Sequence, residues 1–522
     1  MKIKKVRISN YRSIKDTIEI DFSQVTALIG PNNSGKSNIL WCINKILGQE
    51  TSLPGIFTEK DVYRQDPKRN IDVEIEFDQP FEYVPFEGSE PAQIHKIRFI
   101  YKLNESGPDT GKRTLNKYCL TKDDRIVQVL SDGNGMGGSQ LFTQLQCPLE
   151  KIREKIPVVY IRTDRITTHS RSDIRQTLLN GLLKKINEDF MREDNTITIM
   201  NADGTETQIP RKVWFEQCIQ EAMITLRTGA FSNLKETIRE SMLDYLGHGA
   251  NKEDNSWVIF FNPVIQQNFY QSLEMCLCEG DRLTPVRALG EGVQNAIVLS
   301  ILNAYNQQKS EGFIFMIEEP ELYLDPRMKR NLYKALTNMG KKNQVIYITH
   351  SPQFVSLQDF DSVRIVTNNG DGTRVKAPLG DNIPQIKEQF RSMIPGSELN
   401  EIFFTGKVLL VENEKLKKIL LDHEARMGLD YDTMNVAILA VGDKSIMPAM
   451  VGLAKAFDIR VALAHEQFSA FWSDKREEEK ALNERLMALA EEDMSIFCHS
   501  KDLMPEQQRS WEESLVDWLT KT

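Results

Sequence analysis

The chain has 522 residues, with 65 Lys and Arg against 74 Asp and Glu for a formal net charge of −9, and is 40% hydrophobic and 27% charged. This balance excludes a disordered or collagenous chain and supplies apolar material for about two to four domains. No apolar run approaches the roughly 18 residues of a membrane-spanning helix, and the opening MKIKKVRISNYRS lacks the apolar stretch of a secretory signal. Seven scattered cysteines make no disulfide framework, and the close pair Cys276 and Cys278 has no second pair to complete a zinc site. A reducing cytoplasm is the expected location, with no membrane partner. Contact with DNA would have to come from local basic patches such as Lys2, Lys4, Lys5, Arg7 and Arg12, or Lys329-Arg330 and Lys341-Lys342; the plainer reading of such runs is a solvated face.

In chain order, residues 3–9 and 18–22 alternate apolar and polar, which predicts two strands of a hairpin-like pair. Residues 25–29 are almost wholly apolar, as in a strand buried on both faces. They run into GPNNSGKS and then a helical pattern of Ile39, Leu40, Cys42, Ile43, Ile46 and Leu47. Residues 70–130 predict further strands (IDVEIEF, HKIRFIYKL, KYCLTK), and 131–138 an exposed, mobile glycine-rich loop. Another strand is expected at 158–161. Residues 172–250 are mostly helical by period, giving a helical insertion at 166–280 between an N-terminal lobe (1–165) and a C-terminal lobe (281–375). The insertion reads as a self-packed core, with dimer or partner contacts as the alternative. Residues 313–317 and 345–348 are buried-strand runs flanking a helix. A boundary at 370–400 precedes a smaller α/β unit, 400–522, which starts at Lys407 with VLLV and continues with a helix, VAILAV, a helix and VALA. The stretch DKREEEKALNERLMALAEED reads as a charged surface helix.

Gly30-Pro-Asn-Asn-Ser-Gly35-Lys36-Ser37 fits G-x-x-x-x-G-K-[ST] in full, between a strand and a helix. Glycines let backbone N–H groups converge on a β-phosphate, and the helix N-terminus adds its dipole. Lys36 would reach the β- and γ-phosphates, and the Ser37 hydroxyl would ligate Mg²⁺. Asn32, Asn33, Ser34 and Asn38 complete the expected nucleotide-binding set, with ATP and Mg²⁺ as cofactors.

The apolar run FIFMI ends in Glu318 and Glu319. Open α/β sheets bind ligands at such strand ends. Glu318 is the expected Mg²⁺ ligand, and Glu319 the residue that polarises the attacking water; a helix N-terminal acid pair is the alternative. His350, past the next strand, is placed to touch the γ-phosphate. Gly290, Glu291 and Gly292 form a second glycine-bearing helix start. One site has no use for two such N-termini on one nucleotide, but a homodimer does: each ATP would be sandwiched between the P-loop of one copy and this turn of the other.

These residues resemble the ABC-type ATPases of the SMC and RecF class. GPNNSGKSN is similar to Walker A, LGEGVQ to the signature motif, FMIEEPELYLDP to Walker B with the D-loop, THS to the H-loop, and ISNYRSI to the opening segment of that class. The form EEPELYLDP looks most like the overcoming-lysogenisation-defect (OLD) family. In that family Asp325 would be histidine, and Gly290 stands where the signature motif has serine. The resemblance covers about residues 1–370 apart from the insertion, and implies an ABC-type head followed by a Toprim-like domain.

A Toprim domain cuts nucleic acid with clustered carboxylates around Mg²⁺. KVLLVEN resembles its first strand with Glu412, AVGDKS the turn after its second, and FDIRVALAHEQ the strand that ends in D-x-D. Asn413 replaces the following glycine, Leu416 an expected acid, and His465-Glu466-Gln467 the D-x-D. A degenerate domain without nuclease activity is expected, with Glu412 and Glu466 as residual metal ligands; a rearranged site rescued by Glu414 and Asp443 is the alternative. The sequence resembles the ATPase subunit of Septu-type antiphage defence, which implies a nucleotide-driven sensor or scaffold acting on a separate HNH-type nuclease. Retron-associated relatives add a reverse transcriptase and its RNA–DNA as partners. The alternatives are a self-contained OLD-type nuclease cutting DNA and a RecF-like repair ATPase.

Overall fold

The computed structural model describes residues 1–48, 55–86, 89–104, 110–130, 142–161, 194–200, 206–211, 213, 229–246, 257–263, 273–280, 282–290, 312–322, 324–392, 396–466, 476–489 and 495–499, with single positions between 293 and 304 and between 515 and 519. The glycine-rich loop expected at 131–138, Glu291, Gly292 and most of 166–228 lie outside these residues.

The N-terminal hairpin forms as its alternation predicts. Ile3–Ser9 pairs antiparallel with Ile18–Asp21, and on its other edge with Ile71–Tyr83, extending to Ala92–Leu103 and Arg113–Leu120. A second, six-stranded sheet has the order Thr373–Lys376, Val363–Asn368, Val25–Ile29, Gln344–Ile348, Ile314–Glu318, Val158–Ile161, parallel except for its first strand. Its central strands are apolar on both faces because both are covered. Ala27, Ile29, Phe315, Ile317, Val345 and Tyr347 face one core, and Leu28, Ile314, Met316, Ile346 and Ile348 face the other, shared with the antiparallel sheet. Gln344, 1% exposed, ties the two sheets: it accepts from Ile3 N–H at 2.9 Å and donates to the carbonyls of Ile3 and Ser23.

The helical insertion expected at 166–280 is met only in part among the described residues. Gly229–Leu246 is a helix, but Thr196–Met200 and Glu206–Pro210 form an antiparallel hairpin, and Trp257–Pro263, Leu273–Glu279 and Arg282–Pro285 form a three-stranded sheet. TITIM alternates with period two, a signal masked by longer helical patterns on either side.

The expected boundary is structured. Thr373–Lys376 returns to the six-stranded sheet, Ile383–Ser392 is a helix, and Leu379 N–H donates to the Ala456 carbonyl at 2.9 Å. The second α/β unit is a parallel sheet in the order Val436–Ala440, Lys407–Val411, Arg460–Glu466, Ser495–His499. Val408, Leu410, Val461 and Leu463 join the main core, while Leu409, Val411, Ala462 and Ala464 pack with Leu416 and Leu420 on the other face. Phe457 sits edge-on to Phe360 and Phe403, with ring centroids at 6.4 and 5.5 Å, so one apolar core runs unbroken from the six-stranded sheet into the second unit.

Candidate functional site

The strand Val25–Ile29 ends at Gly30, and the helix Lys36–Leu47 begins six residues later, so the phosphate-loop motif forms the turn between them. Gly30 has φ +138°, and a Cβ there would fall 2.0 Å from the Val366 carbonyl oxygen. Gly35 has φ +105°, and a Cβ would fall 2.1 Å from Thr373 Oγ1. Both positions therefore need glycine on two counts, conformation and space. Asn32, Asn33 and Ser37 are exposed, Ser34 is buried and Asn38 is half-buried. Lys36 is 5% exposed, and its ammonium donates to the carbonyls of Gly30 at 3.0 Å and Pro31 at 2.7 Å and to Ser34 Oγ at 3.4 Å.

The strand ends align. Glu318 lies beside Ile348, and Ile348 beside Leu28. Beyond that line stand Glu319, whose N–H donates to the Ile348 carbonyl at 2.9 Å, and Thr349, whose N–H donates to the Leu28 carbonyl at 3.2 Å. Glu318 is buried and accepts from the Tyr160 hydroxyl. Glu319 adopts φ +44°, a left-handed conformation unusual for glutamate. Its Oε1 lies 3.8 Å from His350 Nε2. Burial, and then the Lys36 charge, hold the His350 imidazole below its ordinary pKa, so near neutrality this contact is dipolar rather than an ion pair. Burial also pulls Lys36 down to about 8, while Glu319 and Glu318 act in the opposite sense. The P-loop ammonium, both strand-end carboxylates and His350 thus share one electrostatic neighbourhood. Ser37 and Glu318 are hard oxygen donors of the kind Mg²⁺ takes, and they flank the loop that cradles phosphate.

Sequence reasoning did not single out several of the groups that brace this site. Thr373 Oγ1 donates to the Ser34 carbonyl at 2.8 Å and meets Ser13 Oγ at 2.8 Å, and Asn38 Nδ2 donates to Ser13 Oγ at 2.8 Å. Arg12 is held by Asp61 at 2.9 Å and lies 5.7 Å over the Trp41 ring, which in turn packs 6.0 Å from Tyr160. Glu321, 6% exposed, accepts from Thr349 Oγ1 at 2.5 Å and from His350 N–H at 3.0 Å. Burial raises its pKa despite these bonds, and its Oε2 is buried without a hydrogen-bond partner. The one available signal was EEPE itself, a third acid two residues past the pair. Asp325 caps the helix Pro326–Met339, accepting from Arg327 and Met328 N–H at 2.8 and 3.0 Å. Gly290 is exposed, with open space where a Cβ would stand.

The basic opening segment is largely paired with its own sheet. Lys4 meets Glu76, Lys5 meets Glu19, and Arg7 meets Glu19 and Glu74, at 2.5 to 3.3 Å.

In the second unit Glu412 and Glu466 are both buried, and Glu412 Oε2 accepts from the Glu466 N–H at 2.9 Å. The Glu466 carboxylate instead meets Lys415 at 3.8 Å. Of the two acids named as alternatives, Glu414 is exposed in the first turn of its helix, and Asp443 accepts from Ser445 N–H and Oγ at 3.0 and 2.7 Å. Leu416 is a core residue. The helix Arg476–Ala488, expected as a surface helix, turns Glu479 and Leu486 fully inward. Among the described residues no group of three or more His, Cys, Asp or Glu side chains is close enough to share a metal ion, and no helix is long and apolar enough to cross a membrane.

A complete phosphate loop at the carboxyl edge of a mostly parallel sheet, faced by paired strand-end carboxylates, defines an α/β P-loop ATPase head. The chain belongs to the AAA ATPase domain family, whose model matches residues 1–133 and 140–355. It is 26% identical to the OLD nuclease of Thermus scotoductus over 89% of this chain and 82% of that protein. It is 23% identical to the Old nuclease of Escherichia phage P2 over 89% of this chain and 76% of that protein. Among solved structures, the SMC head bound to the C-terminal winged-helix domain of ScpA matches at a TM-score of 0.42 and 13% identity, covering 74% of this chain and all of that one.

Proposed function

We propose that this protein is a nucleotide-driven switch. Two copies sandwich ATP between the phosphate loop of one and the turn at Gly290 of the other, hydrolysis reopens the pair, and a separate nuclease does the cutting. The observation that carries the ATPase part is the electrostatic convergence of Lys36 with Glu318 and Glu319 at aligned strand ends. Lys36 and the loop N–H groups bind the triphosphate, Ser37 and Glu318 would hold Mg²⁺, Glu319 orients the attacking water, and neutral His350 donates toward the γ-phosphate. Bound Mg²⁺ supplies charge neutralisation on the phosphate oxygens.

The scaffold part draws on the loss of carboxylates in the second unit and on the resemblance to Septu-type systems. An HNH-type nuclease, and in a retron setting a reverse transcriptase with its RNA–DNA, are the partners this reading carries. A second reading, a self-contained DNA nuclease, is favoured by the similarity to two OLD nucleases over 89% of the chain. The test is plasmid cleavage by the purified chain with ATP and Mg²⁺ or Mn²⁺. Hydrolysis without nicking, and nicking once a co-purified HNH protein is added, is the expected result. Nicking by the chain alone that Glu412→Ala abolishes establishes the second reading, and absence of ATP hydrolysis overturns both.

A further inference from the structure

The second α/β unit buries a charge cluster that the ATPase does not use. Glu412 follows the strand Lys407–Val411, Glu466 ends the strand Arg460–Glu466, and Glu479 projects from the helix Arg476–Ala488; they are 3%, 6% and 0% exposed. Lys444, from the turn after Val436–Ala440, is 0% exposed and stands among them. Its Nζ lies 2.5 Å from Glu479 Oε1 and 3.9 Å from Glu412 Oε2. It also donates to the Glu466 carbonyl oxygen at 3.1 Å and to Asn483 Oδ1 at 3.2 Å. Two outer cations join it among the described residues: Arg476 Nη1 is 3.4 Å from Glu479 Oε2, and Lys415 Nζ is 3.8 Å from Glu466 Oε1. Among the described residues, three carboxylates of the cluster meet three cations.

The surroundings of the ammonium are telling. Two carboxylate oxygens, a backbone carbonyl and a side-chain amide oxygen form an all-oxygen shell, the donor set a hard divalent cation takes. A fixed ammonium in that shell both neutralises the acids and repels an incoming cation in a site shielded from water. A two-metal nuclease site does not fit these residues.

We propose that the Lys444 ammonium occupies the position of a divalent cation in this unit. The native chain then takes up no metal there, and deleting the ammonium turns the same oxygens into a cation site. The inference deepens the reading above, that this unit does not cut by itself, but its test does not pass through the ATPase.

Nucleotide-free, full-length protein is titrated with Mn²⁺, and free Mn²⁺ is followed by its electron paramagnetic resonance signal. The native chain and Lys444→Arg should take up no stoichiometric Mn²⁺ that depends on Glu412. Lys444→Met should gain one Mn²⁺ per chain, lose it again on adding Glu412→Gln, and melt at a higher temperature with Mn²⁺ than without. Uptake by the native chain that Glu412→Gln removes overturns the proposal, and this comparison does not require the Met variant to fold. A Lys444→Met protein with native circular dichroism that takes up no Mn²⁺ overturns it equally.

Discussion

Glu321 accepts hydrogen bonds from both the Thr349 hydroxyl at 2.5 Å and the His350 N–H at 3.0 Å, so the turn after one strand end is fastened to the loop after its neighbour. The same two segments carry Glu319 and His350, whose side chains stand 3.8 Å apart. Glu321→Ala removes it and leaves the buried Thr349 hydroxyl without its acceptor; kcat for ATP should fall about tenfold, the equivalent of about 1.4 kcal/mol, with little change in KM. Glu321→Gln keeps an acceptor oxygen and should retain most of the rate. Steady-state kinetics on both variants check this.

The same residue carries a stability prediction. Burial raises the Glu321 pKa above its ordinary 4.5, so between those values the folded state holds the extra proton, and stability falls as pH rises through the folded pKa. Glu321→Gln cannot ionise. Its melting temperature should exceed that of the unsubstituted chain at pH 7.5, and the difference should shrink as pH is lowered toward 4.5.

Lys36 sets the pH dependence of nucleotide binding. Its pKa is pulled to about 8 by burial, so the nucleotide-free protein loses the ammonium on modest alkalinisation. ATP affinity should be flat below that value and fall by up to about tenfold per pH unit above it. Lys36→Ala removes charge-assisted hydrogen bonds that contribute about 1.5–3 kcal/mol each; binding should weaken roughly 100-fold or more and lose this pH dependence. Titration calorimetry from pH 7 to 9 measures both.

Glu319→Gln should bind ATP with unchanged affinity but hydrolyse it about 100-fold more slowly or worse, since the amide is a poor general base. With ATP the variant should elute as a stable dimer in size-exclusion chromatography. Hydrolysis at the unsubstituted rate removes Glu319 from that role.

Phe457 joins the two units by packing edge-on against both Phe360 and Phe403. Phe457→Ala should cost about 3–5 kcal/mol and split thermal unfolding into two calorimetric transitions. A single transition at an unchanged temperature would show that the seam does not couple the units.

Local patterns were legible from residue order alone. The phosphate loop is one unbroken octapeptide, the carboxylate pair ends an apolar run, and the central strands declare themselves by continuous burial; each depends on neighbours a few positions away. The bracing of the site was not legible. Thr373 reaches Ser13 across 360 residues, Tyr160 reaches Glu318 across 158, and Lys444 reaches the Glu466 carbonyl across 22. The stretch that holds Glu479 reads as a charged surface helix, yet the fold buries Glu479, because a carboxylate can be buried where an ammonium from another element meets it. Which polar groups are paired, and therefore which charges the interior tolerates, follows from the packing of distant segments, since desolvation and Coulomb attraction depend on separation in space and not along the chain.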